Sequence, residues 1–206
     1  MIDRHLATLP LIAILRGLDP DEAVAVGEAL FDAGFRCLEV PLNSPRPLES
    51  IARLADRFGD TMLVGAGTVL SPAAVDEVRA AGGRVIISPN ANPAVIAHAK
   101  AEGLVSLPGV FTPTEAFAAL AAGADGLKLF PAEIAGTAGL KALKAVLPKT
   151  APVYAVGGVA PEAMADWCAA GADGFGIGSA LYRPGVTATE VGRRAAGFVA
   201  AWSATR

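Results

Sequence analysis

Lys128 sits in the middle of Gly126-Leu127-Lys128-Leu129-Phe130-Pro131, a short apolar run that reads as a buried strand. An unpaired ammonium loses its hydration inside such a wall. Burial therefore lowers a lysine's pKa, toward the range in which a neutral amine can attack a ketone and form a Schiff base. The plainer alternative is that the side chain snorkels to the strand end or pairs with a carboxylate. Two more charged residues close apolar runs: Glu39 in Leu38-Glu39-Val40, and Arg16 after Leu11–Leu15. An amine, a carboxylate and a guanidinium on one cavity would supply a nucleophile, a general acid/base and a forked anchor for a carboxylate. A salt bridge from Glu39 to Lys128 is compatible with that chemistry, and Arg16 at a strand end has a structural reading as well.

The elements that must position these groups come from a repeat. A small residue plus glycine closes a helix and a β-rich strand follows, as at Ala122-Gly123-Ala124 before Gly126–Phe130 and Ala170-Gly171-Ala172 before Gly174–Gly178. The period is about 20 to 24 residues, or twice that, which is one helix plus one strand. Strands are expected at Leu11–Leu15, Phe35–Val40, Met62–Gly65, Val85–Ser88, Leu104–Leu107, Leu127–Phe130, Val153–Val156 and Gly174–Ile177. Helices are expected to begin near Pro20, Arg46, Pro72, Pro93, Pro113, Thr137 and Pro161, with a last one over Thr187–Trp202; proline suits the first helical turn. Alternation of this kind predicts a parallel sheet in a single α/β domain, residues 1–206, folded as a (β/α)8 barrel of the TIM type. An open doubly wound sheet is the competing architecture, and no Gly-x-Gly-x-x-Gly follows the first strand to support it.

In such a barrel, function sits at the C-terminal ends of the strands. Alternation along each strand puts Lys128 on a face with Gly126 and Phe130, Glu39 with Phe35 and Cys37, and Arg16 with Ile12 and Ile14. Thr68 and Pro89, after strands three and four, could line the pocket with a hydroxyl and a rigid turn. Gly157-Gly158-Val159 and Gly178-Ser179 follow strands seven and eight, where barrels often bind phosphate through backbone N–H groups. In the chemistry this permits, the iminium on Lys128 acts as electron sink for breaking a carbon–carbon bond while Glu39 moves the protons. It calls for no metal and no cofactor.

The 206 residues carry a formal net charge of -3 and no Lys/Arg run, which argues against nucleic-acid binding. Hydrophobic content is 53% against 18% charged, and no apolar run reaches membrane-spanning length. The N-terminus lacks a signal-peptide pattern. Cys37 and Cys168 are too few for a disulfide framework and read as core residues of a cytoplasmic protein. His5 reads as part of a polar lead-in and His98 as a solvated helix residue; with only these two histidines, a histidine-rich metal centre is not expected.

Taken together, Leu38-Glu39-Val40, Val64-Gly65-Ala66-Gly67-Thr68-Val69-Leu70, Ile87-Ser88-Pro89, Lys128-Leu129-Phe130-Pro131 and Gly157-Gly158 resemble the bacterial 2-keto-3-deoxy-6-phosphogluconate and -phosphogalactonate aldolases, over nearly the whole chain. These are class I pyruvate aldolases on a (β/α)8 barrel. The resemblance implies Lys128 as Schiff-base residue, Glu39 as general acid/base, and Thr68, Pro89 and Phe130 in a pyruvate pocket. It also implies a backbone phosphate site and a homotrimer. Three stretches look like the phosphogalactonate branch: Pro10-Leu11-Ile12-Ala13-Ile14-Leu15-Arg16-Gly17, Glu39-Val40-Pro41-Leu42-Asn43-Ser44-Pro45 and Ala155-Val156-Gly157-Gly158. Asn43 stands where the phosphogluconate branch has arginine, so carboxylate binding is expected to move to Arg16. Val156 stands for a threonine whose hydroxyl could read the C4 configuration. The expected substrate is therefore 2-dehydro-3-deoxy-6-phosphogalactonate, cleaved to pyruvate and glyceraldehyde 3-phosphate. The gluconate epimer, or both epimers, is the near alternative. A phosphosugar isomerase or synthase would share the phosphate loops without needing Lys128, and a noncatalytic phosphosugar-binding barrel would tolerate arginine there.

Overall fold

The computed structural model describes residues 3–206; Met1 and Ile2, counted in the expected domain, lie outside the described residues. Nine parallel strand segments form one sheet in the hydrogen-bonded order β5-β4-β3-β2-β1-β9-β8-β7-β6. They are β1 (Leu11–Ile14), β2 (Cys37–Pro41), β3 (Leu63–Gly67), β4 (Val85–Ile87), β5 (Val105–Leu107), β6 (Gly109–Val110), β7 (Leu127–Leu129), β8 (Val153–Val156) and β9 (Gly174–Ile177). Eight strands were expected. The fifth is split because Pro108 has no N–H to give the ladder, so β5 pairs with β4 and β6 pairs with β7. The circuit of strands thus returns to itself through one proline, and the sheet closes as a barrel.

Helices alternate with the strands on the outside. α2 (Pro20–Asp32), α4 (Pro72–Ala80), α5 (Pro93–Ala101) and α6 (Pro113–Ala121) begin at the expected prolines. Each has a side chain accepting from the first turn: Asp19, Ser71, Asn92 and Thr112, the last in a capping box with Glu115. α3 (Pro47–Phe58) starts one residue after Arg46, and α9 (Ala188–Ser203) is capped by Thr187. α7 (Ala132–Val146) begins before the expected Thr137, but Gly136 (φ 65°, ψ 172°) breaks it, so Thr137 marks where regular helix resumes. Pro161 opens a 3-10 turn that leads into α8 (Met164–Ala169).

Two apolar layers hold these elements. The outward faces of the strands pack on the helices, including Leu127 and Leu129 on either side of Lys128. Inside the barrel a smaller cluster joins Ile12, Cys37, Leu63, Ile87, Leu107 and Tyr154. Phe35, expected on the inward face with Glu39, instead precedes β2 and packs in the outer layer. The N-terminal segment is no polar lead-in. It forms α1 (Arg4–Thr8), whose Leu6 joins the interior cluster while His5, 7% exposed, bridges the Asp3 carboxylate and the Asp60 carbonyl. No helix among the described residues is long and apolar enough to cross a membrane.

Candidate active site

Glu39 and Lys128 reach the barrel axis from β2 and β7, with relative exposures of 1% and 8%. Their seats are made by missing side chains. A Cβ on Gly67 would lie 1.7 Å from Glu39 Oε2, so the glycine that ends β3 leaves room for the carboxylate. A Cβ on Gly176 would lie 2.7 Å from Val156, so β9 also gives up volume to the interior. Below, Lys128 and Glu39 border an enclosed apolar space of about 10 Å³ with Ile12, Ile87, Leu107 and Tyr154. Above, Lys128 forms the floor of a cavity of about 660 Å³ that opens at the C-terminal ends of the strands.

Neither charged group has a partner to neutralise it. Among the described residues no ion pair within 4.0 Å engages Lys128 or Glu39, and Glu39 Oε2 accepts no hydrogen bond. The salt bridge that was the plainer alternative for Glu39 does not form; the two sense each other only through space. Desolvation pushes the Glu39 carboxyl up to about 7, with the Lys128 and Arg16 charges pulling against it. Burial likewise lowers Lys128 below the usual lysine range; Glu39 opposes that shift and Arg16 adds to it. The Phe130 ring, 4.8 Å from Nζ, covers one side of the amine. A depressed amine facing an apolar cavity, beside a carboxyl poised near neutrality, can condense with a ketone and shuttle protons.

The remaining expected residues line the same cavity: Arg16, Thr68, Pro89, Phe130, Val156, Gly157, Gly158, Val159, Gly178 and Ser179. Arg16 lies at the exposed rim, where Nη1 donates to Asn43 Oδ1 at 2.6 Å. Asn43, at the end of the neighbouring strand, thus orients Arg16. Thr68 has φ 59°, a left-handed conformation that a β-branched residue adopts only under constraint. The constraint is visible: Val69 N donates to the Ile87 carbonyl at 3.3 Å and Ser88 Oγ donates to the Val69 carbonyl at 2.7 Å. Gly157 and Gly158 have φ of 110° and 67°, and Glu133 packs against them where side chains would otherwise stand. Sequence reasoning missed Gly67 and Gly176 as space-makers and Arg183 as a wall of the cavity. The alternating Gly174-x-Gly176-x-Gly178 on one strand face was the available signal for a hollow sector.

Comparison with known proteins decides the assignment. The sequence profile of the KDPG and KHG aldolase family matches residues 2–193. The chain belongs to this family. It is 51% identical over 195 residues to the probable 2-dehydro-3-deoxy-6-phosphogalactonate aldolase of Rhizobium meliloti strain 1021, covering 95% of this chain and 92% of that one. Identity to the 2-dehydro-3-deoxy-6-phosphogalactonate aldolase of Escherichia coli K12 is 50% over 194 residues, covering 94% and 95%. The solved structure described as native KDPGal matches with a TM-score of 0.94 at 50% identity, covering 96% of each chain. As a KDPG and KHG aldolase, the chain is a carbon–carbon lyase on a parallel barrel, a fold whose active sites sit at the C-terminal strand ends, where this cavity opens.

Proposed function

We propose that this aldolase cleaves 2-dehydro-3-deoxy-6-phosphogalactonate to pyruvate and glyceraldehyde 3-phosphate, with Lys128 as the Schiff-base residue and Glu39 as the general acid/base. The observation that carries the reading is the buried, unpaired Lys128 amine at the floor of the cavity, with the unpaired Glu39 carboxyl beside it in the barrel interior. The neutral Lys128 amine adds to the C2 ketone, and loss of water gives an iminium. Glu39 takes the proton of the C4 hydroxyl, the C3–C4 bonding pair moves into the iminium, and the C4 fragment leaves as the aldehyde. The resulting enamine regains a proton at C3 from Glu39, and water then releases pyruvate and free Lys128.

Thr68, Pro89 and Phe130 wall the pyruvate end, while Arg16, held by Asn43, takes the substrate carboxylate. Gly157, Gly158, Val159, Gly178 and Ser179 offer backbone to the phosphate. In support, Leu181 and Tyr182 both donate to the Gly178 carbonyl, so Ser179 and Ala180 open a helical turn and their N–H groups have no acceptor within it. Val156 faces the cavity without a hydroxyl, which favours the galactonate epimer in this reading. A homotrimer belongs to the same reading: Leu70, Phe111 and Ile134, which follow β3, β6 and β7, are exposed apolar residues that an interface would cover. The free thiols Cys37 and Cys168 suit a reducing, cytoplasmic setting.

Reduction with borohydride in the presence of pyruvate tests the mechanism. The expected result is a covalent adduct on Lys128; an unmodified Lys128 at saturating pyruvate would overturn it. Pyruvate release from the two C4-epimeric 6-phosphate sugar acids, measured side by side, tests the substrate. Faster release from the galactonate epimer is expected, and equal rates would leave a dual-epimer aldolase.

A further inference from the structure

The charged residues lining the large cavity are Arg16, Lys128 and Arg183, with no acidic residue among its lining groups. Arg183 stands apart from most of the protein's other arginines. Among the described residues, Arg46, Arg53, Arg57, Arg79, Arg84, Arg193 and Arg194 all hold a carboxylate within 4.0 Å, whereas Arg183 holds none. Its hydrogen bond is from Nε to the Ser179 carbonyl, at 3.1 Å, four residues back. That contact folds the guanidinium over the turn carrying Gly178 and Ser179 and leaves both terminal Nη groups as free donors.

The backbone fixes the side chain at that spot. Val186 N donates to the Arg183 carbonyl at 3.0 Å across Pro184 and Gly185, and Gly185 has φ 86°, as a tight turn with proline second and glycine third requires. Pro184 packs against Gly17 next to Arg16; a Cβ on Gly17 would come within 2.7 Å of it. The two arginines therefore flank the cavity mouth from adjacent strands, β1 and β9, and divide it unequally. Arg16 is near enough to Glu39 and Lys128 for its charge to act on both. Arg183 lines the same cavity on the side of the Gly178-Ser179 turn, where its Nε donates to the Ser179 carbonyl.

We propose that Arg183 is the side-chain anchor for the substrate's phosphate group, completing the backbone turns of Gly157-Gly158 and Gly178-Ser179. The proposal rests on the aldolase reading above and deepens it. A phosphate monoester carries roughly -1.5 to -2 charge near neutral pH. Neutral N–H groups bind such a dianion less strongly than a forked guanidinium that makes charge-assisted bonds. The arrangement gives each anionic end of the substrate its own arginine and leaves the middle, over Lys128, apolar.

An Arg183→Met variant tests this with two half-saturation constants measured on folded protein, its thermal melting checked first. One is KM for cleavage of the phosphorylated sugar acid; the other is the pyruvate concentration that half-saturates borohydride trapping on Lys128. Pyruvate carries the carboxylate but no phosphate. The expected result is a KM raised about 10- to 100-fold, for the loss of charge-assisted hydrogen bonds, with the pyruvate constant changed less than about 2-fold. Arg183→Lys is expected to recover part of the loss, since it restores charge without the fork. An unchanged KM, or an equal rise in both constants, would overturn the assignment. Failure of the wild-type protein to trap pyruvate at all would instead count against the aldolase reading itself.

Discussion

The two ends of the barrel treat charge in opposite ways. At the N-terminal end the repeated Ala-Gly-Ala-Asp-Gly places Asp125 and Asp173 before β7 and β9, and each is paired with a lysine and a backbone N–H. Asp125 Oδ2 accepts from Ser106 N at 2.8 Å and Lys100 Nζ at 2.6 Å; Asp173 Oδ2 accepts from Val153 N at 2.8 Å and Lys144 Nζ at 2.7 Å. Both lysines also donate to backbone carbonyls, of Leu104 and Ala151. At the C-terminal end Lys128 is more buried than either of those lysines yet has no carboxylate, and Glu39 Oε2 is unpaired. Satisfied charge stabilises a fold, whereas buried charge left without a partner raises its free energy and awaits a ligand. The lower rim clamps neighbouring strands together, and the upper cavity keeps its electrostatics open for the substrate.

Removing the amine breaks the upper end most completely. Lys128→Met is expected to lower kcat/KM by about 10⁴-fold or more, because no other group on the cavity floor can form the iminium. The coupled cleavage assay measures that loss, and residual activity within about 10-fold of wild type would rule out Lys128 as the nucleophile.

Glu39→Gln is expected to slow turnover by about 10²- to 10⁴-fold while the variant still traps pyruvate. The wild-type rate should rise as pH increases through about 7, where the Glu39 carboxyl ionises. The same residue has a stability signature. Its folded pKa of about 7 lies above the ordinary 4.5, so between those values the native state holds a proton that the unfolded chain has lost. Stability contributed by this group is present below 4.5 and is lost as pH rises through 7. Glu39→Gln should therefore be more stable than wild type by about 1–3 kcal/mol at pH 8, and about equal to it near pH 4, in denaturant melts. A variant less stable at pH 8 would mean that the ionised carboxylate is well solvated.

At the lower end the expectation reverses. Asp125→Asn should cost about 1–3 kcal/mol of stability, by weakening the Lys100 contact and the bond from Ser106 N, and leave kcat of the folded enzyme unchanged. A change in kcat without a change in melting would erase the division between the two ends. The smallest effect expected is in selectivity. Val156→Thr adds one hydroxyl to the cavity wall and should move the ratio of kcat/KM between the C4 epimers by about 10-fold toward the gluconate epimer.

Much of this was legible in the chain. Proline at helix starts and glycine after small residues at helix ends mark the βα period, because those residues act on the backbone locally. Strand alternation was enough to place Lys128 and Glu39 on inward faces, since side-chain direction in a strand depends only on position, and it aimed Arg16, just past β1, at the cavity rim. Motifs at strand ends marked Thr68, Pro89 and the glycine turns for the same reason. Other features had no local cause. That Asn43 holds Arg16, that Gly67 makes the seat of Glu39, that Pro108 splits a strand and that His5 is buried all depend on segments distant in sequence. Arg183 reads in sequence like any surface arginine; only its position over the Ser179 turn and the absence of a nearby carboxylate single it out. The order and direction of the elements thus follow from residue type and spacing, whereas the Glu39 carboxyl near 7 and the lowered Lys128 pKa are properties of the closed barrel. Desolvation and pairing are set by what surrounds a group in space, and for these groups the surroundings exist only once β1 meets β9.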